Sequence, residues 1–306
     1  MEYFPIHTPC LLETLPTMAL LPQTHGELIH GVCLLSRPLS GYLTFCDRLP
    51  SGGVVNTDCT STILVPPELE AHLNRQFPAA RLISVGDPRA VFIDTLDYLQ
   101  RAGLLGMSSV LPKDPRVSPD ATIGAHVVIE AGVQIDAGAT VGSGAVILRG
   151  TWVQSGVIVG ANSVLGSTGI NAYAGKDGKR RGFPHLAGVI VGDGASLGAS
   201  CVVMRGILSS TQIGAGSIIG NLCNIGHGVE IGENVWMSAG TVVGGHTKIE
   251  DKATIALGCM IRDNITVGAA ANIGMGSVVT KSVRPGVSKF GNPARPFTSV
   301  NAGPSR

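Results

Sequence analysis

From Ile213 to Val279 the chain repeats a pattern six residues long. An aliphatic side chain or methionine stands at Ile213, Ile219, Ile225, Ile231, Met237, Val243, Ile249, Ile255, Ile261, Val267, Ile273 and Val279, usually followed by Gly or another small residue. Neither the period of a helix, about 3.6 residues, nor the two-residue alternation of a strand returns an apolar residue at this interval. A parallel β-helix with three short flat faces per turn does, each corner sending one aliphatic side chain inward. Eighteen residues then complete one coil, and residues eighteen apart stack at the interstrand spacing of roughly 4.8 Å.

The same count runs earlier through Val117, Ile123, Ile129, Ile135, Val141, Ile147, Val153, Val159 and Leu165, which makes three coils. It is lost from Gly166 to Ile190, where STGINAYAGKDGKRRGFPHLAG is polar, Gly-rich and basic; this stretch is expected to leave the helix as an external loop, a place where function concentrates. Register resumes at Val191, Leu197 and Val203 and slips between Gly206 and Thr211. After Val279 the repeat stops, and TKSVRPGVSKFGNPARPF is expected to close the open end of the solenoid, because a bare β edge invites aggregation.

Residues 1–110 lack the six-residue period. Strand-like runs (VCLL, TSTILV, RLISV) accompany one predicted helix, DPRAVFIDTLDYLQRAG, in which Asp87 caps the start, Pro88 suits the first turn, and Val91, Phe92, Leu96 and Leu99 supply apolar positions. The predicted organisation is a mainly β chain: a small α/β domain over 1–110, a β-helix over 111–284 with its external loop, and a cap and tail over 285–306. The proline-containing stretch SSVLPKDPRVSPDA reads as the linker.

Composition sharpens this picture. Forty-two glycines and only 14% charged residues among 306 fit a solenoid whose corners demand small residues. The positive mean hydropathy, +0.32, comes from inward aliphatics, since no apolar run approaches the roughly 18 residues of a membrane helix. A net charge of +1 argues against a nucleic-acid partner. Seven cysteines with no CxxC spacing suggest neither a zinc ribbon nor a complete disulfide framework, and are expected to be buried thiols of a cytoplasmic protein. The N-terminal MEYFPIHTPCLLETLP has no basic region ahead of its apolar residues and does not read as a signal peptide.

The chemistry falls on the long repeat. His227, in NIGHGVEIG, and His246, in VGGHTKIE, are nineteen apart, so the backbone directly above His227 is Gly245. An imidazole beside a bare glycine amide offers a general base next to an oxyanion donor. A histidine-bound zinc in a β-helix would need three imidazoles, and only two lie on these coils. No GxSxG or Cys-His pair supplies a covalent nucleophile, so direct attack by a bound substrate is the simpler chemistry. Asn221, Asn224 and Glu230 are the candidates to orient His227.

The segment IIGNLCNIGHGVEIG, the repeat and the small N-terminal domain together resemble the UDP-3-O-acylglucosamine N-acyltransferase family of lipid A (lipopolysaccharide) synthesis and its hexapeptide acyltransferase relatives, from about Gly31 to Val287. The resemblance implies a left-handed β-helix, a homotrimer with sites in grooves between solenoids, a nucleotide-sugar acceptor and no tightly bound cofactor. It implies that His227 is the general base and that the Gly245 amide faces the oxyanion, with His246 beside them. Ser167, Thr168, Gly169, Ile170 and Asn171 look like the family's Ser-Asp-Gly-Phe-Gly loop, making Asn171 a substrate-binding candidate with Asn221 and Asn224. Phe45 matches the aromatic that stacks on uracil. The chain departs from the family in carrying Gly220-Asn221 for Asp-Asn, Asn264 for a second histidine, and Asp47 or Arg48 for an asparagine after Phe45.

The ending GNPARPF resembles instead the acetyl-CoA-using hexapeptide transferases, which makes Lys289 and Arg295 candidates for the coenzyme's phosphates. The donor implied is thus acetyl-CoA or an acyl carrier protein thioester. Lys176, Lys179, Arg180 and Arg181 of the external loop could meet a sugar diphosphate or pantetheine phosphate. Two alternatives stay open: an acetyl-CoA-dependent N- or O-acetyltransferase of surface polysaccharide synthesis, and a non-catalytic β-helix scaffold or sugar-binding subunit.

Overall fold

A computed structural model describes residues 3–18, 26, 28–49, 57–105 and 114–296. The chain divides into two compact units, one of Met1–Leu111, Ile170–Ala187 and Ile207–Ser209, the other of Pro112–Gly169, Gly188–Gly206 and Ser210–Arg306. Residues 108–113 of the predicted linker and the tail beyond 296 lie outside the described residues. Among the described residues, no helix is long and apolar enough to cross a membrane.

The larger unit is the predicted parallel β-helix. Its three sheets have eight, eight and ten strands, most of them two residues long. The inward positions counted from Ile135 onward are buried as expected, whereas Val117 and Ile123, at the first coil where no coil precedes them, pair in register but are exposed. Ile219 pairs with Met237, Ile225 with Val243 and Ile231 with Ile249, each eighteen apart and each in a different sheet. The inward residue is the second residue of each two-residue strand rather than a corner, and the turn follows it. Three positions on, the backbone often takes a left-handed φ, as at Gly228 (+64°) and His246 (+56°). The core is one continuous stack of Val, Ile, Leu, Ala, Met and Cys side chains running from Val133 to Ala294. Cys201, Cys223 and Cys259 lie in it, and all seven cysteines are free.

The two breaks in the count are where the chain leaves the solenoid. Val159 pairs with Leu197, and Leu197 with Ile219, so the coils on either side join directly. The external segment is shorter than 166–190: Val164–Ser167 and Val189–Val191 remain solenoid strands because Leu165, Val189 and Val191 are fully buried there. Between them Ala172–Ala174 and Arg180–Gly182 form an antiparallel hairpin that belongs to the smaller unit. The slip near Gly206 is a second excursion, with Ile207 and Leu208 buried in the smaller unit's core beside Leu186 and Ala187. At the C-terminal end Ser288–Phe290 adds in parallel beside Asn272–Ile273, and Arg295–Pro296 turns back antiparallel on it.

The smaller unit is α/β. Strands β1 (Tyr3–Leu11), β2 (Leu28–Cys33), β3 (Tyr42–Phe45), β4 (Thr62–Val65) and β5 (Arg81–Ser84) lie in sequence order, antiparallel between β1 and β2 and parallel thereafter. Helix α1 (Pro67–Gln76), which the sequence reading did not predict, follows β4; its only buried residue is Leu73, so it carries no apolar stripe to read. Helix α2 (Pro88–Arg101) is the predicted one, with the Asp87 carboxylate accepting from Ala90 N at 3.1 Å and Phe92, Leu96 and Leu99 buried.

Candidate active site at an uncapped corner

The corner of interest follows the strand Asn224–Ile225. One coil on, its counterpart follows Val242–Val243, and the next follows Met260–Ile261. Two positions beyond the inward residue of each strand stand His227, Gly245 and Asp263. Backbone bonds fix the stacking: His246 N donates to His227 O at 2.9 Å, and Asn264 N to Gly245 O at 3.0 Å.

The half-buried His227 imidazole lies over Gly245. A Cβ on Gly245 would come 2.6 Å from His227 Nε2 and 2.7 Å from Cε1, so the ring occupies the space that any other residue would need. Here glycine is required for close approach, not for a left-handed φ. The exposed His246 meets His227 edge to face, with ring centroids 4.7 Å apart. Its Nδ1 would lie 2.6 Å from a Cβ on Gly228, so this ring too leans over a glycine.

The corner leaves one amide uncapped, as the corners at Ala215, Ala239 and Leu257 also do among the described residues; what distinguishes it is the imidazole lying over that amide. At five other corners the backbone N–H two positions past the inward residue is capped by a side chain from an adjacent coil. Asp193 caps Ser155, Asn221 caps Ala199, Asp251 caps Glu233, Glu130 caps Arg149 and Glu250 caps Ala269, at 2.8 to 3.0 Å. The amides flanking Gly245 are also occupied, Gly244 N by Ile261 O and His246 N by His227 O. Gly245 N has no protein acceptor among the described residues. Asp263, which stands where a cap would come from, instead accepts from Asn264 Nδ2 at 2.7 Å and pairs loosely with Arg262 at 3.6 Å. Electrostatically, burial holds the His227 imidazole below its ordinary value of 6.5, and the Asp263 carboxylate pulls it back upward. At neutral pH the ring is a free base, beside an amide aimed at no partner.

The orienting residues proposed from the sequence fall differently. Asn221 lies at another corner, between a different pair of sheets, and its side chain is committed to Ala199 N. Asn224 and Glu230 flank His227 on the two faces that meet at its corner, Glu230 stacked between Gln212 and Lys248. The carboxylate that acts on His227 is Asp263, which the sequence reading missed. Its signal was present: it stands thirty-six residues, two coils, beyond His227. Lys289 and Arg295 are placed on the terminal strands of another sheet, with Lys289 Nζ donating to Ser282 O at 3.2 Å.

The remaining candidates belong to the smaller unit. Phe45 packs on Phe92 with centroids 4.9 Å apart and on Phe183 at 6.3 Å, while the Arg89 guanidinium sits 5.7 Å over its ring and 5.3 Å over Tyr173. Arg89 is itself held by Asp47 at 2.7 Å. Asn171 contributes its backbone, its carbonyl accepting from Phe183 N at 2.8 Å. Two of the loop cations serve the hairpin. Arg181 pairs with Asp94 and Asp177, both at 2.8 Å, and Lys176 donates from Nζ to Gly86 O at 2.6 Å and from its backbone to Asp87. Lys179 and Arg180 are exposed.

No family model matches the chain. A protein of Caulobacter sp. (strain K31) named UDP-3-O-acylglucosamine N-acyltransferase is 37% identical over 133 residues, 44% of this chain and 39% of that protein. One of the same name from Maricaulis maris is 47% identical over 62 residues, 20% of this chain and 18% of that protein. The chain thus spans about two fifths or less of the length of these curated relatives, and the matched stretch is shorter than the Gly31 to Val287 span read from its motifs. Among solved structures, a Francisella novicida UDP-N-acetylglucosamine acyltransferase is 21% identical, covering 61% of this chain and 67% of that one with a TM-score of 0.47.

Proposed function

We propose that this chain is an acyltransferase that moves an acyl group from a phosphopantetheine thioester, carried by CoA or acyl carrier protein, onto an amine or hydroxyl of a nucleotide-linked sugar. The observation that carries this reading is the Gly245 amide, open beneath a half-buried imidazole whose proton affinity burial lowers. His227 takes the proton of the attacking amine or hydroxyl as the new C–N or C–O bond forms at the thioester carbonyl. The oxyanion that develops meets the Gly245 N–H, a donor already in place. Collapse breaks the C–S bond, and the proton held on His227 passes to the departing sulfur.

The names of the two curated relatives support a nucleotide-sugar acceptor; a cytoplasmic role in lipid A synthesis belongs to the same reading. A homotrimer belongs to the same reading. Exposed Val128, Val242 and Met260 on the outer side of the sheet leading into the His227 corner give a second copy an apolar surface to pack on. Phe45, Asn171, Lys289 and Arg295 keep their proposed substrate and donor roles here, with Arg89 over the Phe45 ring as the group a stacking base would have to displace.

The test is mass spectrometry of UDP- and dTDP-linked amino sugars incubated with the protein, with acetyl-CoA in one reaction and a hydroxyacyl carrier protein in the other. An acylated sugar is expected from one donor, and that donor identifies the acyl chain. His227→Ala should lower turnover by about 10² to 10⁴-fold with little change in the melting temperature. Equal turnover in wild type and variant would remove His227 from the mechanism.

A further inference from the structure

The edge that carries His227 continues into the coils before it. Ile147 pairs with Leu165, Leu165 with Val203, and Val203 with Ile225, so the positions two past each inward residue are Arg149, Ser167, Arg205 and then His227. Arg205 is one coil from His227, roughly 4.8 Å along the axis, and Arg149 is three coils away. A bulge at Gly166, where the register shifts between Leu165 and Ser167, brings Ser167 and Arg205 together, with Arg205 N donating to Ser167 O at 2.9 Å and Arg205 Nε to Gly166 O at 2.6 Å.

This cluster is unbalanced as a purely structural element. Both arginines are only partly exposed. Burial lowers the Arg205 guanidinium from its usual range; Glu130 opposes this and the like charge of Arg149 adds to it. Two guanidiniums of like charge thus lie near one another, and Glu130 spends an oxygen on Arg149 N at 2.8 Å. Arg149 Nε and Ser167 Oγ are buried without a hydrogen-bond partner. Orphaned donors beside two like charges in a half-dry corner are costly, and an anion with several acceptor oxygens relieves both.

We infer that Arg149 and Arg205, with Ser167, form a binding subsite for a phosphate or diphosphate ester on the same edge as His227. The chemistry is common to the diphosphate of a nucleotide sugar and to the phosphates of a phosphopantetheine donor. Its catalytic use rests on the reading of His227 above, whereas the anion binding does not.

Calorimetry on the full chain, with inorganic pyrophosphate, UDP and CoA as probes and uridine and pantetheine as phosphate-free controls, tests this. Pyrophosphate and at least one of the two esters should bind. Arg149→Gln and Arg205→Gln should each weaken that binding by about tenfold or more, as expected for loss of a charge-assisted bond. Sensitivity confined to UDP assigns the subsite to the acceptor, and sensitivity confined to CoA assigns it to the donor. Glu130→Gln, which can still accept from Arg149 N, should tighten binding; this variant decides the matter if either arginine variant fails to fold. A wild type that binds none of the three phosphates, folded arginine variants that bind like wild type, or a Glu130→Gln that binds no tighter would overturn the subsite. Absence of acyl transfer with intact, arginine-dependent pyrophosphate binding would instead overturn the reading of His227 alone.

Discussion

The Glu233 corner and the Gly245 corner have the same backbone construction and opposite chemistry. At Glu233 the next coil offers Asp251, whose carboxylate accepts the free amide at 2.9 Å. At Gly245 the next coil offers Asp263, but that carboxylate turns to Asn264 and Arg262, while the imidazole of the preceding coil covers the glycine. A β-helix corner leaves one N–H out of the ladder, and an unpaired amide costs free energy unless something accepts from it. Most described corners of this kind that carry Asp, Asn or Glu spend that side chain on the amide. At Gly245 the amide is left open directly beneath a histidine, where an open amide has a use.

Three substitutions break or sharpen this comparison. The largest effect is expected from Gly245→Ala. Its Cβ would land 2.6 Å from His227 Nε2, and because the obstacle is a side-chain ring, the imidazole moves rather than the backbone. Acyl transfer should fall on the order of 10²-fold with nearly unchanged thermal unfolding, and adding His227→Ala should cost little more, since the two changes remove one arrangement. Independent, multiplying losses would mean that the imidazole and the amide do not act together.

Asp251→Ala reverses the outcome. It exposes the Glu233 amide and should cost about 1 kcal/mol of stability, measured by denaturant unfolding, with turnover unaffected. A loss of activity without a loss of stability would show that capped corners are not merely structural.

The smallest effect is expected from Asp263→Asn. The carboxylate favours the imidazolium, so removing it lowers the His227 pKa further below 6.5. The acid limb of the pH profile of kcat/KM, which follows the fraction of neutral base, should move to lower pH, and the histidine Cε1–H proton resonance should titrate with it. A limb that stays in place would separate Asp263 from His227.

The coils, most of their inward residues and the external loop were legible in the sequence because a period of six is set by one local requirement, an apolar side chain on every short face; the excursion near Gly206 showed there only as a slip in the count. The same arithmetic placed Gly245 over His227, since eighteen residues always return to the same corner. What lay beyond it was side-chain direction. Asn221 reads as a partner for His227 by proximity in sequence, yet it stands on another corner and caps Ala199. Asp263 is thirty-six residues away and reaches His227 electrostatically.

Sequence alone therefore determined the scaffold and the stacking, because both follow from local spacing repeated coil after coil. Only the tertiary structure decided which amides are capped, where the basic hairpin's charges go, and that Arg149, Ser167 and Arg205 share an edge with His227 across a break of thirty-eight residues in the count. Those outcomes depend on where a side chain points once the coils have stacked, and a few degrees of rotation at one corner exchange a capped amide for an open one.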